Sequence, residues 1–189
     1  MCIRDRVIGN PPCSDTIRDN TDKDFSIINH LMEDFRPPKE LRRGRQNIQK
    51  QINNPFMQFL RWSCKKLLDS PNHSVLSLVV PLSFLEAESY KYARKYLCEN
   101  FSDAWIVSVD ADARTGARSD SLFHTLQGRA VIVLTRKYRD DTSITKLHYC
   151  DYSHCMRINK EQLLNESIEK IVSRFDTYDI ANDLSLIHI

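Results

Sequence analysis

The chain has 189 residues, 41% of them apolar and 28% charged, enough to bury a core in one globular domain and far from the composition of disorder. A net charge of +2 excludes a polybasic character that by itself would demand nucleic acid or an anionic membrane, and the apolar run at residues 75–80 is too short to span a bilayer. Nothing at the start reads as a secretion signal, and six scattered cysteines, at 2, 13, 64, 98, 150 and 155, read as reduced thiols of a cytoplasmic protein rather than a disulfide framework.

Residues 1–6 (MCIRDR) and 184–189 (ending SLIHI) fit neither adjoining element and resemble translated sequencing-adapter sequence. The expectation is therefore a piece of a longer protein, with both ends left out of fold reasoning. Between them, Val7-Ile8-Gly9 reads as the end of a buried strand, which Pro11 and Pro12 force into a turn. Residues 14–54 are polar and punctuated by Pro37-Pro38, predicting a long surface loop with one short helix near residues 25–35. Phe56, Phe59, Leu60, Ser63, Cys64, Leu67 and Leu68 fall at helical spacing, predicting an amphipathic core helix that ends at Ser70-Pro71.

Residues 75–81 predict a strand covered on both faces. Ser83 and Glu86 have capping-box spacing, predicting one continuous helix to Asn100 with the stripe Ala87, Tyr90, Arg94, Leu97 and Phe101. Strands follow at 104–109, 130–136 and 145–149, with a polar loop over 110–120 whose Asp110, Asp112 and Asp120 read as solvated. His148, Cys150, His154 and Cys155 lack zinc spacing and read as a strand and turn rather than a metal site. Asn159 is expected to cap a last helix running to Phe175. The order of elements is α/β, with helical crossovers first and a hairpin-like strand pair later.

Only four glycines occur, at 9, 44, 116 and 128, and none forms the G-x-G spacing of a nucleotide loop. The informative stretch is instead Val7-Ile8-Gly9-Asn10-Pro11-Pro12-Cys13: an apolar strand delivering Asn-Pro-Pro at its C-terminal end, where open α/β sheets bind ligands. It resembles the N-P-P-aromatic motif of N6-adenine DNA methyltransferases, a motif shared with enzymes that methylate protein glutamine side chains. Phe123, followed by the strand from Ala130 to Leu134, is similar to the phenylalanine before the last hairpin strand of that family. Leu122-Phe123 with Gln127-Gly128, Leu147 to Tyr152 with Lys160 and Leu163 beyond, and Pro81 to Leu85 with Arg94 to Leu97 resemble segments of single-chain type II and type ISP restriction–modification enzymes.

The resemblance covers about residues 7–164. It implies the C-terminal half of a Rossmann-like methyltransferase sheet, with strands 4, 5, 7 and 6 side by side. Residues 7–150 would form the substrate side of the catalytic domain, and 151–183 would begin a helical or target-recognition region. It implies transfer of a methyl group from S-adenosylmethionine to a flipped adenine in double-stranded DNA, within a bacterial or phage restriction–modification system. A nuclease or helicase fused outside this chain is also implied, and the donor-binding half would lie upstream.

Asn10 and the backbone carbonyl of Pro11 would accept the two N–H bonds of the adenine amine, freeing a lone pair that is otherwise delocalised into the ring. Pro12 stiffens that turn. Phe123 would stack on the base, and Cys13 occupies the other stacking position, where the family has an aromatic ring and a thiol offers no stacking face. Arg36, Lys39, Arg42, Arg43, Arg45 and Lys50 crowd one loop against the single acid Glu40, with Arg42, Arg43 and Arg45 the candidates for DNA phosphates. Two other readings stay open: a catalytically dead DNA-binding relative, and a protein glutamine methyltransferase.

Overall fold

In the computed structural model, residues 5–12, 30–42, 51–71, 73–115, 120–137, 144, 146–163 and 165–180 are described. Strand β1 spans Arg6–Gly9, and Pro11-Pro12 end it as expected, but it is not the buried strand expected: Arg6 and Ile8 are exposed, because β1 pairs on one side only among the described residues. Helix α1 spans Pro55–Leu68. Asn54 caps it by accepting the Met57 N–H at 2.9 Å, and Pro55 occupies the first turn, where a missing N–H costs nothing. Its Phe56, Leu60, Cys64 and Leu67 are buried, and burial pushes the Cys64 thiol up to about 12. Strand β2 spans Ser74–Pro81, and it is fully covered on one face only: Leu76, Leu78 and Val80 are buried, while Val75, Ser77 and Val79 on the other face are half-buried rather than covered as expected.

The single helix expected over 83–100 is broken. Helix α2 covers Leu82–Glu86, Ala87 is extended (φ −74°, ψ 136°), a 3-10 turn covers Glu88–Tyr90, and helix α3 covers Lys91–Asn100. Ser83 lies inside α2 and makes no cap. The break survives burial because the fully buried Arg94 donates to the carbonyl oxygens of Phe84 at 2.9 Å and Ala87 at 2.8 Å, replacing helical N–H partners.

Strand β3 spans Asp103–Asp110, β4 Arg129–Arg136 and β5 Lys146–Asp151. The last helix is also divided. Helix α4 covers Arg157–Leu163, with Asn159 inside it rather than at its cap, and α5 covers Ile168–Val172 after an extended Ser167. A further strand, β6, spans Asp176–Asp179 and pairs antiparallel with β5. Its terminal aspartates hide it from pattern reading, but charge is what a sheet edge tolerates. Phe175 meets the Trp105 ring edge-on at 5.0 Å, and Trp105 stacks on His148 at 3.9 Å.

These strands form one mixed sheet in the order β1-β2-β4-β3-β5-β6. Strands β1 and β2 are parallel, β4 runs antiparallel to both β2 and β3, and β3 and β5 are parallel. The fold class is α/β, as expected, and the hairpin strand β4 inserts between β2 and β3. The core packs Leu76, Leu78, Val80, Ile106, Ile132 and Leu134 of the sheet against α1 and α3. The described part of the predicted surface loop is not all at the surface. Met32 and Phe35, in a 3-10 turn, and Ile52 are buried. Arg61 ties that turn down by donating to the Leu31 carbonyl at 2.9 Å and pairing with Asp34 at 2.5 Å. Among the described residues, no helix is long and apolar enough to cross a membrane.

Candidate functional site

The pairing directions bring the C-terminal ends of β1, β2, β3 and β5 and the start of β4 to one edge of the sheet. Gly9 lies beside Leu78, Pro81 opposite Arg129, Arg129 opposite Asp110, and Ser108 opposite Asp151. Asn10, Pro11 and Pro12 therefore emerge at the same edge as the loop that carries Phe123. Asn10 and Pro12 are exposed and Pro11 is buried between them. Cys13, Arg43 and Arg45 lie outside the described residues. Arg42 is engaged within its own loop, donating to the Pro37 carbonyl at 2.6 Å and pairing with Glu33 at 2.8 Å.

The Phe123 loop is organised by Asp110, whose expected solvation is corrected by the structure: it is 0% exposed. A bulge in β3 between Ser108 and Asp110 precedes it, and bulges re-aim the following side chain. One carboxylate oxygen accepts the Leu122 N–H at 2.9 Å and the Lys160 ammonium at 3.1 Å. The other accepts the Ser121 hydroxyl at 2.8 Å and the Phe123 N–H at 3.2 Å. Burial pushes the Asp110 carboxyl up, but the bonds from Leu122, Ser121, Lys160 and Phe123 together outweigh it and hold it below the usual carboxylate range.

Helix α4 grips the same loop. Lys160, 1% exposed, also donates to the carbonyl oxygens of Asp120 at 3.0 Å and Ser153 at 3.4 Å. The Arg157 N–H donates to the Asp120 carboxylate at 2.9 Å, and its guanidinium to the His124 ring at 2.8 Å. His124 has a positive φ of 52°, a left-handed conformation uncommon for a side-chain-bearing residue, directly after Phe123. Phe123 itself is half-buried.

Gly128 closes the loop where no side chain fits. An added Cβ would lie 2.9 Å from the Asp110 carbonyl oxygen and 3.0 Å from the Asp112 nitrogen. Its carbonyl accepts the Leu82 N–H at 2.9 Å, linking the loop to the end of β2. Next to it, Arg114 holds the Asp112 carboxyl below its ordinary value, with a further bond from the Gly128 N–H. A cavity of about 290 Å³ opens at the ends of β3 and β5, lined among others by Leu82, Glu86, Ser108, Asp112 and Tyr149. Burial, and then the charge of Asp112, raise the Glu86 carboxyl there.

Asp110 as an anchor, Lys160, Arg157 and His124 are the residues sequence reasoning missed. Lys160 appeared there only as part of a helix start. A lysine in a polar helix carries no local mark of burial, so only the pairing with Asp110 could reveal it.

No protein-family model matches the chain, and no curated relative matches it. Solved structures do. The type ISP restriction–modification enzyme LlaBIII bound to DNA superposes with a TM-score of 0.77 at 18% identity, over 98% of this chain and 12% of that one. The DrdV–DNA complex gives 0.70 at 20% identity, over 96% of this chain and 18% of that one. A modification subunit from Vibrio vulnificus YJ016, of the type I restriction class, gives 0.52 at 16% identity, over 95% of this chain and 35% of that one. The chain thus has the α/β fold found in restriction–modification enzymes and modification subunits, and it spans about a third of their length or less.

Proposed function

We propose that this chain forms the target-base side of an S-adenosylmethionine-dependent DNA adenine-N6 methyltransferase of a restriction–modification system, working within a longer protein. The observation that carries this reading is the arrival of Asn10-Pro11-Pro12 and the anchored Phe123 loop at one edge of a sheet with the restriction–modification fold.

The exocyclic amine of adenine is a weak nucleophile because its lone pair conjugates with the ring. The Asn10 carboxamide oxygen and the Pro11 carbonyl oxygen accept its two N–H bonds and favour a pyramidal nitrogen with an available lone pair. Proline's fixed φ holds these acceptors without the entropy cost of ordering a free loop. Phe123 supplies an apolar face for a base extruded from the duplex, and extrusion is required because the amine is otherwise inside the stack. Arg43 and Arg45 contact phosphates beside the extruded base.

When bound, S-adenosylmethionine supplies an electrophilic methyl group. The described glycines make no cradle for it: an added Cβ at Gly9 meets only ordinary contacts at 3.7 Å, and the space at Gly128 is filled by this chain's own Asp110, Asp112 and Leu82. The donor is assigned to other residues of the longer protein, and no step is drawn through it.

The test is to express the full-length protein in a methylation-deficient bacterial host and read its genomic DNA for N6-methyladenine. The expected result is modification of adenine within one recurring sequence, abolished by Asn10→Ala. Soluble full-length protein that leaves the genome unmodified overturns the reading.

A further inference from the structure

We propose that Lys160 and Asp110 are a positioning pair for the target-base site: their buried contact fixes where Phe123 stands and ties that position to helix α4. The inference rests on the reading of Phe123 as the stacking residue.

A buried lysine–carboxylate pair is not needed for stability as such, since apolar residues of the same volume often serve as well or better. What this pair does that apolar residues cannot is hold a loop by its backbone. The Asp110 carboxylate takes the N–H groups of Leu122 and Phe123 and the hydroxyl of Ser121, and Lys160 takes the carbonyl of Asp120. Four consecutive residues, 120–123, are thereby bonded to one ion pair that is 0% and 1% exposed. Phe123 is thus placed by its own main chain, and the residue remains half-buried rather than enclosed.

The second tie has the same direction. Arg157, three residues before Lys160, bonds Asp120 and His124 on either side of the same segment. The left-handed backbone at His124 costs free energy that a loose loop would relax, so its presence marks a position held from outside. Lys160 also donates to Ser153, just past β5, so displacement of α4 along its axis would be felt at Phe123. Without the pair, the loop keeps its Gly128 end but loses the bonds that aim the ring.

The experiment compares Lys160→Met and Phe123→Ala with the unaltered full-length protein, reading base stacking on a duplex carrying 2-aminopurine at the position methylated by that protein, and turnover on the same duplex with adenine restored there. Lys160→Met is expected to shift the 2-aminopurine fluorescence in the same direction as Phe123→Ala. It should also lower kcat by about 10- to 100-fold, the range a misplacement near 1 Å produces, with KM for DNA changed far less. A folded Lys160→Met protein with unaltered fluorescence and kcat overturns the pairing while leaving the role of Phe123 intact, provided that Phe123→Ala does change them. If Phe123→Ala itself changes neither, the stacking role fails and this inference falls with it. Should Lys160→Met not fold, the double variant Asp110→Asn with Lys160→Met removes both buried charges and is read by the same two signals.

Discussion

On one side of the sheet edge, Asn10 follows a four-residue strand with a single neighbour among the described residues, and Ile8 within that strand is 78% exposed. On the other side, Phe123 hangs from a carboxylate with no exposure at all. The first position is shaped by covalent stiffness, two prolines and a strand end. The second is shaped by a buried charge that collects four hydrogen-bond donors. Two prolines fix φ at two positions of the first turn, whereas the Phe123 loop depends on an anchor that must stay paired. Substitutions on the two sides should therefore differ sharply in their effect on the fold.

The largest effect is expected from Asp110→Ala. It strands the Lys160 ammonium in the interior, a loss of about 3–5 kcal/mol, visible as a fall in Tm of roughly 6–20 °C for a chain of this size. A fall of under about 1 kcal/mol in calorimetry would show that Lys160 finds another acceptor and would erase the contrast.

The two described glycines sharpen it further. Gly128→Ala forces a Cβ against backbone atoms at 2.9 and 3.0 Å, with an expected cost of about 1–3 kcal/mol from overpacking. At Gly9 the same change meets Leu78 and Phe59 at 3.7 Å, so it should stay within about 0.5 kcal/mol of the unaltered protein. Equal losses in urea unfolding would mean that the two sides are equally constrained.

Acid should weaken the Phe123 side through its buried carboxylate. The Asp110 carboxyl sits below its ordinary value of 3.8 in the folded chain, so it takes up protons less readily there than in the unfolded chain. Its contribution is complete at pH well above that value and is lost as pH falls through the lower, folded value. Unfolding free energy measured from neutral pH downward should therefore drop more steeply on the acid side in the unaltered protein than in Asp110→Asn. Matching acid slopes would show that the four bonds do not favour the ionised form.

The smallest effect on the fold is expected from Asn10→Ala. Its side chain is exposed, so stability should move by less than about 0.5 kcal/mol even as methyl transfer disappears. A loss of several kcal/mol would make Asn10 a structural residue and remove the reason to place it against substrate.

Where local chemistry decides, the sequence reads well. The 3.6-residue stripe at Phe56 to Leu68 is helix α1, and the apolar runs at 75–81, 104–109 and 130–136 are strands. It reads poorly where a distant partner decides. The spacing of Ser83 and Glu86 promised a capped, continuous helix, yet Arg94 reaches back to the carbonyls that a break exposes. The aspartates at 110 and 120 looked alike in a polar stretch, but of the two only Asp110 offers its carboxylate to the buried lysine 50 residues away in sequence, while Asp120 meets it through its backbone carbonyl. Nor does the polar composition of residues 30–42 show that Arg61 draws their turn against α1.

The residues alone determined the α/β class, the turn that presents Asn10 and Pro11 after β1, and the placement of Phe123 before a strong strand, because prolines, periodicity and apolar runs act over a few residues. Tertiary structure decided that β4 enters between β2 and β3, that β6 extends the sheet, and that Asp110 and Lys160 are hidden from water. Strand neighbours and the desolvation of a charge depend on groups far apart in sequence, and their free energies exist only once the chain has brought those groups together.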